Sequence, residues 1–177
     1  MKVCEQQREE NYGEYIRLRN NPDYYNVTFD EETGGMSAIH KDHQFDKTVG
    51  PLGYKRGLYE QIVLTTLRNH GHRIILDKED SGLYLKKVCD GLLDGKTAEI
   101  KTIEGKGKWS IRTKIDVARK QKASCIILFF PIPETFSAKR IQSGWNDYLN
   151  VHPDEEGNFQ VLAVYENRII EIEKPPR

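Results

Sequence analysis

The sequence predicts an α/β domain whose core lies in the middle of the chain. Three observations carry that prediction. A helical pattern over residues 58–69 is followed by short strand-like runs, a second helical pattern from Ser110, and the continuous apolar run Cys125–Phe130. Two of the strand-like runs, 84–93 and 96–103, flank Asp94-Gly95, the dipeptide favoured at the tip of a two-residue type I′ hairpin. At 177 residues the chain is long enough for one good core and too short for two independent ones.

Residues 1–47 are polar, and NNPDYYNVTFDEETGG holds turn chemistry around one strand-like piece, residues 25–29. An extended arm or loose cap is expected there, with Tyr24, Tyr25 and Phe29 packing it down. The domain proper is then 48–177, with its core over 58–131 and a decoration over 134–177. In the first helix Tyr59, Ile62, Val63, Thr66 and Leu67 recur at helical spacing, and Gly71 is placed to stop it. Arg73–Leu76 is a short strand. Ser110 can cap a helix running to about Lys122, with Ile111, Ile115 and Ala118 inward. Cys125–Phe130, closed by Pro131 and Pro133, has the pattern of a strand buried on both faces. Residues 135–150 suit a helix carrying Trp145 and Tyr148. Residues 159–165 and 168–172 suit a hairpin around Glu166 and Asn167, added at the edge of a pre-existing sheet.

Lys plus Arg and Asp plus Glu each number 27, so net charge favours neither a nucleic acid nor a membrane partner. The distribution is less even. From Lys101 to Lys122 there are eight cations, among them Lys106, Lys108, Arg112, Lys114 and Lys120, against Glu104 and Asp116. That suits a face meeting phosphate, or equally a solvated helix. Cys4, Cys89 and Cys125 have no disulfide or zinc spacing and are expected to be reduced core residues. MKVCEQQREE has no apolar stretch for a signal peptide, and no run reaches membrane-spanning length. A reducing cytosol is the expected location, with delivery into another cell by a non-classical route compatible with it.

The hairpin carries the charges that matter most. With Asp94 and Gly95 at its tip, Leu93 faces Lys96 and Asp90 lies opposite Glu99. Side chains so placed have Cβ atoms about 4.5–5.5 Å apart, and like charges there are destabilising. Lys101 shares that face, diagonal to Asp90 and flanked by Val88 and Ile103. Two carboxylates in an apolar surround require a proton or a cation between them. A divalent metal meets the requirement, as does Lys101 acting as a plain counter-charge. Mg²⁺ suits few carboxylates and open water positions, with Mn²⁺ or Zn²⁺ as alternatives.

Glu60, with Val63, Leu64 and Leu67 three, four and seven residues on, points along an apolar stripe. It is either a third acidic group at the site or a complement to the helix dipole. Gln121, at the far end of the basic helix, either reaches the substrate or merely ends the helix. His40 and His43 have a spacing that suits one helical face, without a third clear metal ligand. His70 is placed to end the first helix. GKGKW, residues 105–109, lacks the spacing of a P-loop. It can still approach a phosphate backbone, with Trp109 either stacked on a base or anchored in the core.

Asp90 followed by Glu99-Ile100-Lys101, between a helix bearing Glu60 and a helix and buried strand, resembles the PD-(D/E)XK nuclease superfamily. CDGLLDGKTAEIKT, ARKQKA and IILFF resemble more narrowly the C-terminal tRNase domain of contact-dependent growth inhibition toxins, and related domains ending phage minor head proteins. The likeness covers residues 58–130, less than half the chain. It implies a three-layer α/β/α restriction-endonuclease-like core with a mixed central sheet. It also implies metal-dependent phosphodiester cleavage, with Asp90, Glu99 and Lys101 as the central site and Asp90 and Glu99 as metal ligands. Glu60 and Gln121 match the acidic and glutamine positions of the two helices. Cys89 stands where the motif has Pro. RNA, and tRNA in particular, is the substrate the narrower resemblance implies, with DNA as the alternative and a non-catalytic binding module as the competing class. A toxin would have a cognate inhibitor protein.

Overall fold

A computed structural model describes residues 4–78 and 89–173. The chain is α/β. Eight strands form one mixed sheet in sequence order. Its elements run α1 (Glu5–Arg19), β1 (Tyr24–Phe29), β2 (Met36–His40), α2 (Gly57–Asn69), β3 (Arg73–Leu76), β4 (Gly91–Leu93), β5 (Lys96–Thr102), α3 (Ser110–Lys120), β6 (Cys125–Phe130), α4 (Ala138–Val151), β7 (Gln160–Tyr165) and β8 (Arg168–Ile172). The pairs β2/β3, β5/β6 and β6/β7 are parallel, and the others antiparallel.

The middle of the chain folds as its pattern predicts. Asp94 and Gly95 both have positive φ, 50° and 82°, which a type I′ turn demands. Leu93 then faces Lys96, as expected. Glu166 and Asn167 turn the last hairpin the same way, at 46° and 58°. Every residue of β6 is buried. His70 ends α2, its Nδ1 2.8 Å from the Thr66 carbonyl, and Gly71 follows at φ 91°. Of the expected strand 84–93, residues 84–88 lie outside the described residues, and within 89–93 only Gly91–Leu93, β4, is strand.

Residues 1–47 are not an extended arm. They supply a helix and two strands, and β2 pairs with β3 inside the sheet. Phe29 packs on Tyr12 and Tyr15, with ring centroids 5.2 and 5.7 Å away. Two smaller corrections follow. Trp109, not Ser110, is the N-cap of α3, and the Ser110 hydroxyl instead donates to the Gly107 carbonyl at 2.8 Å. Cys4 is exposed, whereas Cys89 and Cys125 are buried.

Alternation along the strands sorts the core between the two sides of the sheet. Ile126, Leu128, Phe130, Val161 and Ala163 pack with α3 and α4. Cys125, Ile127, Phe129, Leu162 and Val164 pack with α2. Register places Glu99 beside Ile126 and Lys101 beside Leu128, so both charges are on the α3/α4 side. Gly91 makes the neighbouring pair possible. A Cβ there would lie 1.9 Å from the Ile75 carbonyl oxygen, so only glycine allows β3 and β4 to approach this closely.

Candidate active site

The tight hairpin turn fixes the register that brings the two carboxylates together. Gly91 pairs with Ala98, so the next position outward sets Asp90 against Glu99. Each carboxylate then takes a backbone donor from the other strand. Asp90 N–H donates to Glu99 Oε2 at 2.9 Å, and Ile100 N–H donates to Asp90 Oδ2 at 2.8 Å. These bonds hold both side chains in place where the strand ladder ends. Glu99 is almost fully buried and forms an ion pair with Lys101, whose side chain is largely buried too.

Electrostatics at Asp90 are unusual. Burial pushes its carboxyl up to about 7, the Glu99 charge adds to the rise, and the Ile100 N–H and Lys101 only partly offset it. Lys101 therefore balances Glu99 while leaving the pair with excess negative charge above neutral pH. A divalent cation would relieve that excess. Among the described residues no group of three or more His, Cys, Asp or Glu is placed to hold a metal. Among the described residues the pair Asp90 and Glu99 offers two carboxylates to a cation. That suits Mg²⁺ or Mn²⁺, and it falls short of the three or four protein ligands usual for Zn²⁺.

Glu60 does not point unaccompanied along an apolar stripe. Its Oε2 lies 2.9 Å from Nε2 of His43, and its Oε1 accepts the Asp46 N–H at 3.3 Å. The His43 side chain is fully buried, and its Nδ1 is 2.8 Å from the Asp77 carbonyl. Asp77 N–H in turn donates to the Asp90 carbonyl at 2.9 Å. Burial works against a charged His43, but the bonds to Glu60 and Asp77 outweigh it and raise its pKa. The sequence singled out His43 with His40 and missed its burial and its pairing with Glu60. His40 ends a strand and His43 follows in a turn, so no helix aligns them, and His43 meets Glu60 only through the tertiary fold.

Gln121 caps the C-terminus of α3, and its backbone carbonyl accepts the Cys89 thiol at 3.0 Å. That contact ties the helix end to the residue preceding Asp90. Burial pushes the Cys89 thiol up to about 11, so it is an inert packing group.

The basic residues divide. Lys106 and Lys108 are exposed in the loop after β5, and Arg112 follows in the first turn of α3. Lys114 is half-buried further along the helix. Lys120 is at the opposite end and pairs with Asp116 at 2.6 Å. An eleven-residue helix is about 16 Å long, so Lys120 does not join the loop cations. Trp109 is 51% exposed and is no core anchor.

Comparison with family models, curated proteins and solved structures gives no match. The fold and site define an α/β chain with a mixed sheet, a carboxylate pair of which Glu99 is buried and Asp90 half-buried, and an adjoining lysine.

Proposed function

We propose that the chain is a metal-dependent nuclease of restriction-endonuclease-like layering that cleaves phosphodiester bonds, with RNA, and tRNA in particular, as substrate. The observation that carries the reading is the Asp90–Glu99 pair, locked across the hairpin with Lys101 beside it and left with excess negative charge. Helices against both faces of the mixed sheet support the layering. A divalent ion held by Asp90 and Glu99 would neutralise charge on the scissile phosphate and lower the pKa of the attacking water.

The chain's own residues do the rest. The Ile100 N–H fixes the direction of Asp90 Oδ2. Asp90, weakly acidic in the free protein, would hold the ion as its carboxylate, the cation favouring loss of its proton. Lys101 has its ammonium on the same face and stabilises charge growing on the phosphate. His43 and Glu60 support the site from α2, and the loop cations draw in the backbone. A bacterial toxin with a cognate inhibitor protein is the biological setting this reading favours. No helix among the described residues is long and apolar enough to cross a membrane.

One observation favours a second reading. Lys101 already pairs with Glu99, and a single proton on Asp90 completes the cluster without any metal. The domain would then bind nucleic acid or protein without cutting.

Wild-type and Asp90→Ala protein, incubated with total RNA and with plasmid DNA in Mg²⁺ or EDTA, separate the readings. The nuclease cleaves RNA only as wild type and only with Mg²⁺. Cleavage of DNA alone moves the substrate to DNA. No cleavage of either by folded wild type sinks the enzyme reading.

A further inference from the structure

We infer that Trp109, with Lys106, Lys108 and Arg112, forms a stacking platform for an unpaired base, so that the substrate strand is single-stranded where it crosses the loop after β5. The inference rests on the nuclease reading for the presence of a phosphate chain.

The indole is large, apolar and 51% exposed, whereas the other tryptophan, Trp145, is only 5% exposed. Leaving a tryptophan in water forgoes burial that usually stabilises a fold. This one is held out by the local backbone. Trp109 is the N-cap of α3, and its carbonyl accepts the Thr113 N–H at 3.0 Å. On either side of it, the Gly107 carbonyl accepts both the backbone N–H and the hydroxyl of Ser110, at 3.1 and 2.8 Å. The start of the loop is tied down as well. Thr135 donates to the Ile103 carbonyl at 3.2 Å, and Arg140 to the Gly105 carbonyl at 3.0 Å. The ring is therefore carried on a turn anchored at both ends.

Its neighbours are cations. Lys108 Nζ lies 4.6 Å from the ring centroid, and the Arg112 guanidinium carbon 5.8 Å. The first turn of α3 holds no acidic residue. Glu104, just upstream, is occupied by a two-pronged bond from Arg56 at 2.8 and 2.7 Å. Lysine and arginine lie over the indole, and a base that takes their place on the ring leaves them free to turn to its flanking phosphates. A paired duplex offers no free base face to such a ring. The location also fits. The loop follows the C-terminal end of β5, where ligands of α/β sheets commonly bind, and Trp109 comes eight residues after Lys101.

Binding is measured in EDTA, by tryptophan fluorescence and by anisotropy, using an unstructured oligoribonucleotide of about a dozen nucleotides and the same strand in a duplex. The single strand is expected to quench Trp109 emission and to bind at least about tenfold more tightly than the duplex. Trp109→Ala should weaken single-strand binding by roughly ten- to hundredfold with an unchanged melting temperature, and Trp109→Phe should recover most of it. Equal affinity for strand and duplex overturns the inference. So does Trp109→Ala binding the strand as tightly as wild type, or no binding of either probe, which would assign the ring to a protein partner. Mg²⁺ is then added to tell this inference from the nuclease reading. A strand bound and quenched but never cut removes the nuclease and keeps the platform. Cutting by Trp109→Ala with unchanged KM removes the platform and keeps the nuclease.

Discussion

Asp90→Asn is expected to stabilise the protein in mild alkali and, on the proposed nuclease reading, to abolish cleavage. Burial first, and the Glu99 charge second, push the Asp90 carboxyl from its ordinary 3.8 up to about 7. An acid whose folded pKa is raised costs nothing below its unfolded pKa. It costs progressively more as pH climbs from about 4 to about 7, and its full penalty applies above that. Each tenfold change in ionisation corresponds to about 1.4 kcal/mol, so the penalty approaches about 4 kcal/mol. Asp90 is partly reached by solvent, and screening reduces this to roughly 2–3 kcal/mol. The Asn oxygen can still accept the Ile100 N–H that the carboxylate accepts at 2.8 Å. Only the charge-assisted part of that bond is lost, about 1 kcal/mol. The net gain at about pH 8 is roughly 1–2 kcal/mol, or about 3–6 °C in Tm for a chain of this size. Near pH 4.5 the gain should vanish or slightly reverse. Thermal unfolding of both proteins in EDTA at the two pH values measures it. A variant no more stable than wild type at the higher pH, or equally more stable at both, would refute the electrostatic account of the pair. Added Mg²⁺ should then raise Tm for wild type and not for the variant.

Gly91→Ala forces a Cβ to within 1.9 Å of the Ile75 carbonyl oxygen unless β3 and β4 separate. A loss of about 3 kcal/mol or more in urea unfolding is expected, and near-normal stability would mean that the two strands are not so closely paired. Asp94→Asn keeps a residue suited to positive φ in the turn but removes a charge. Burial opposes ionisation of Asp94, yet the His72 bond at 2.7 Å and the Arg73 N–H at 2.8 Å outweigh it and lower the pKa. That stabilisation is present above the unfolded pKa and lost as pH falls through the folded one. The variant should be less stable at neutral pH by about 1–2 kcal/mol, with the gap closing in acid. A gap that stays constant down to about pH 2 would show that the Asp94 charge contributes nothing.

What was legible in the sequence was what local chemistry specifies. Asp94-Gly95 admits one hairpin register, and that register alone sets Asp90 against Glu99 and Lys101 on the same face. The run Cys125–Phe130 is apolar throughout because both its faces are covered, and such a run announces itself without knowledge of its neighbours. In the N-terminal third the strand-like piece 25–29 is found as β1, while α1 and β2 had no comparable signal. In α1 only Asn11 and Leu18 are buried, so the helix lacks the apolar stripe that would reveal it. Met36–His40 is buried along its whole length, yet Ser37 and His40 interrupt the pattern by which a buried strand is recognised. Their polarity is accommodated by the fold: Arg68 donates to the Ser37 hydroxyl at 3.3 Å, and the His40 Nδ1 accepts the Asp42 N–H at 3.1 Å.

The same distinction divides the site. Asp90, Glu99 and Lys101 lie within twelve residues and are set by one turn, whereas His43 and Glu60 are joined only because β2 and α2 pack beside β3. His43 links the two halves. Its ring bridges the Glu60 carboxylate and the Asp77 carbonyl, and Asp77 is bonded through its own N–H to the backbone of Asp90. A segment whose composition suggests an extended arm or loose cap thus places a buried imidazole beside Glu60 and the Asp77 carbonyl. Glu60 and Asp90 are also coupled directly, since the Glu60 charge helps to raise the Asp90 pKa. His43 meets the Glu60 carboxylate, so a residue of the N-terminal third touches a group that bears on Asp90. The hairpin brings Asp90, Glu99 and Lys101 together, and the N-terminal third supplies, through His43, a contact to Glu60 and to the Asp77 carbonyl.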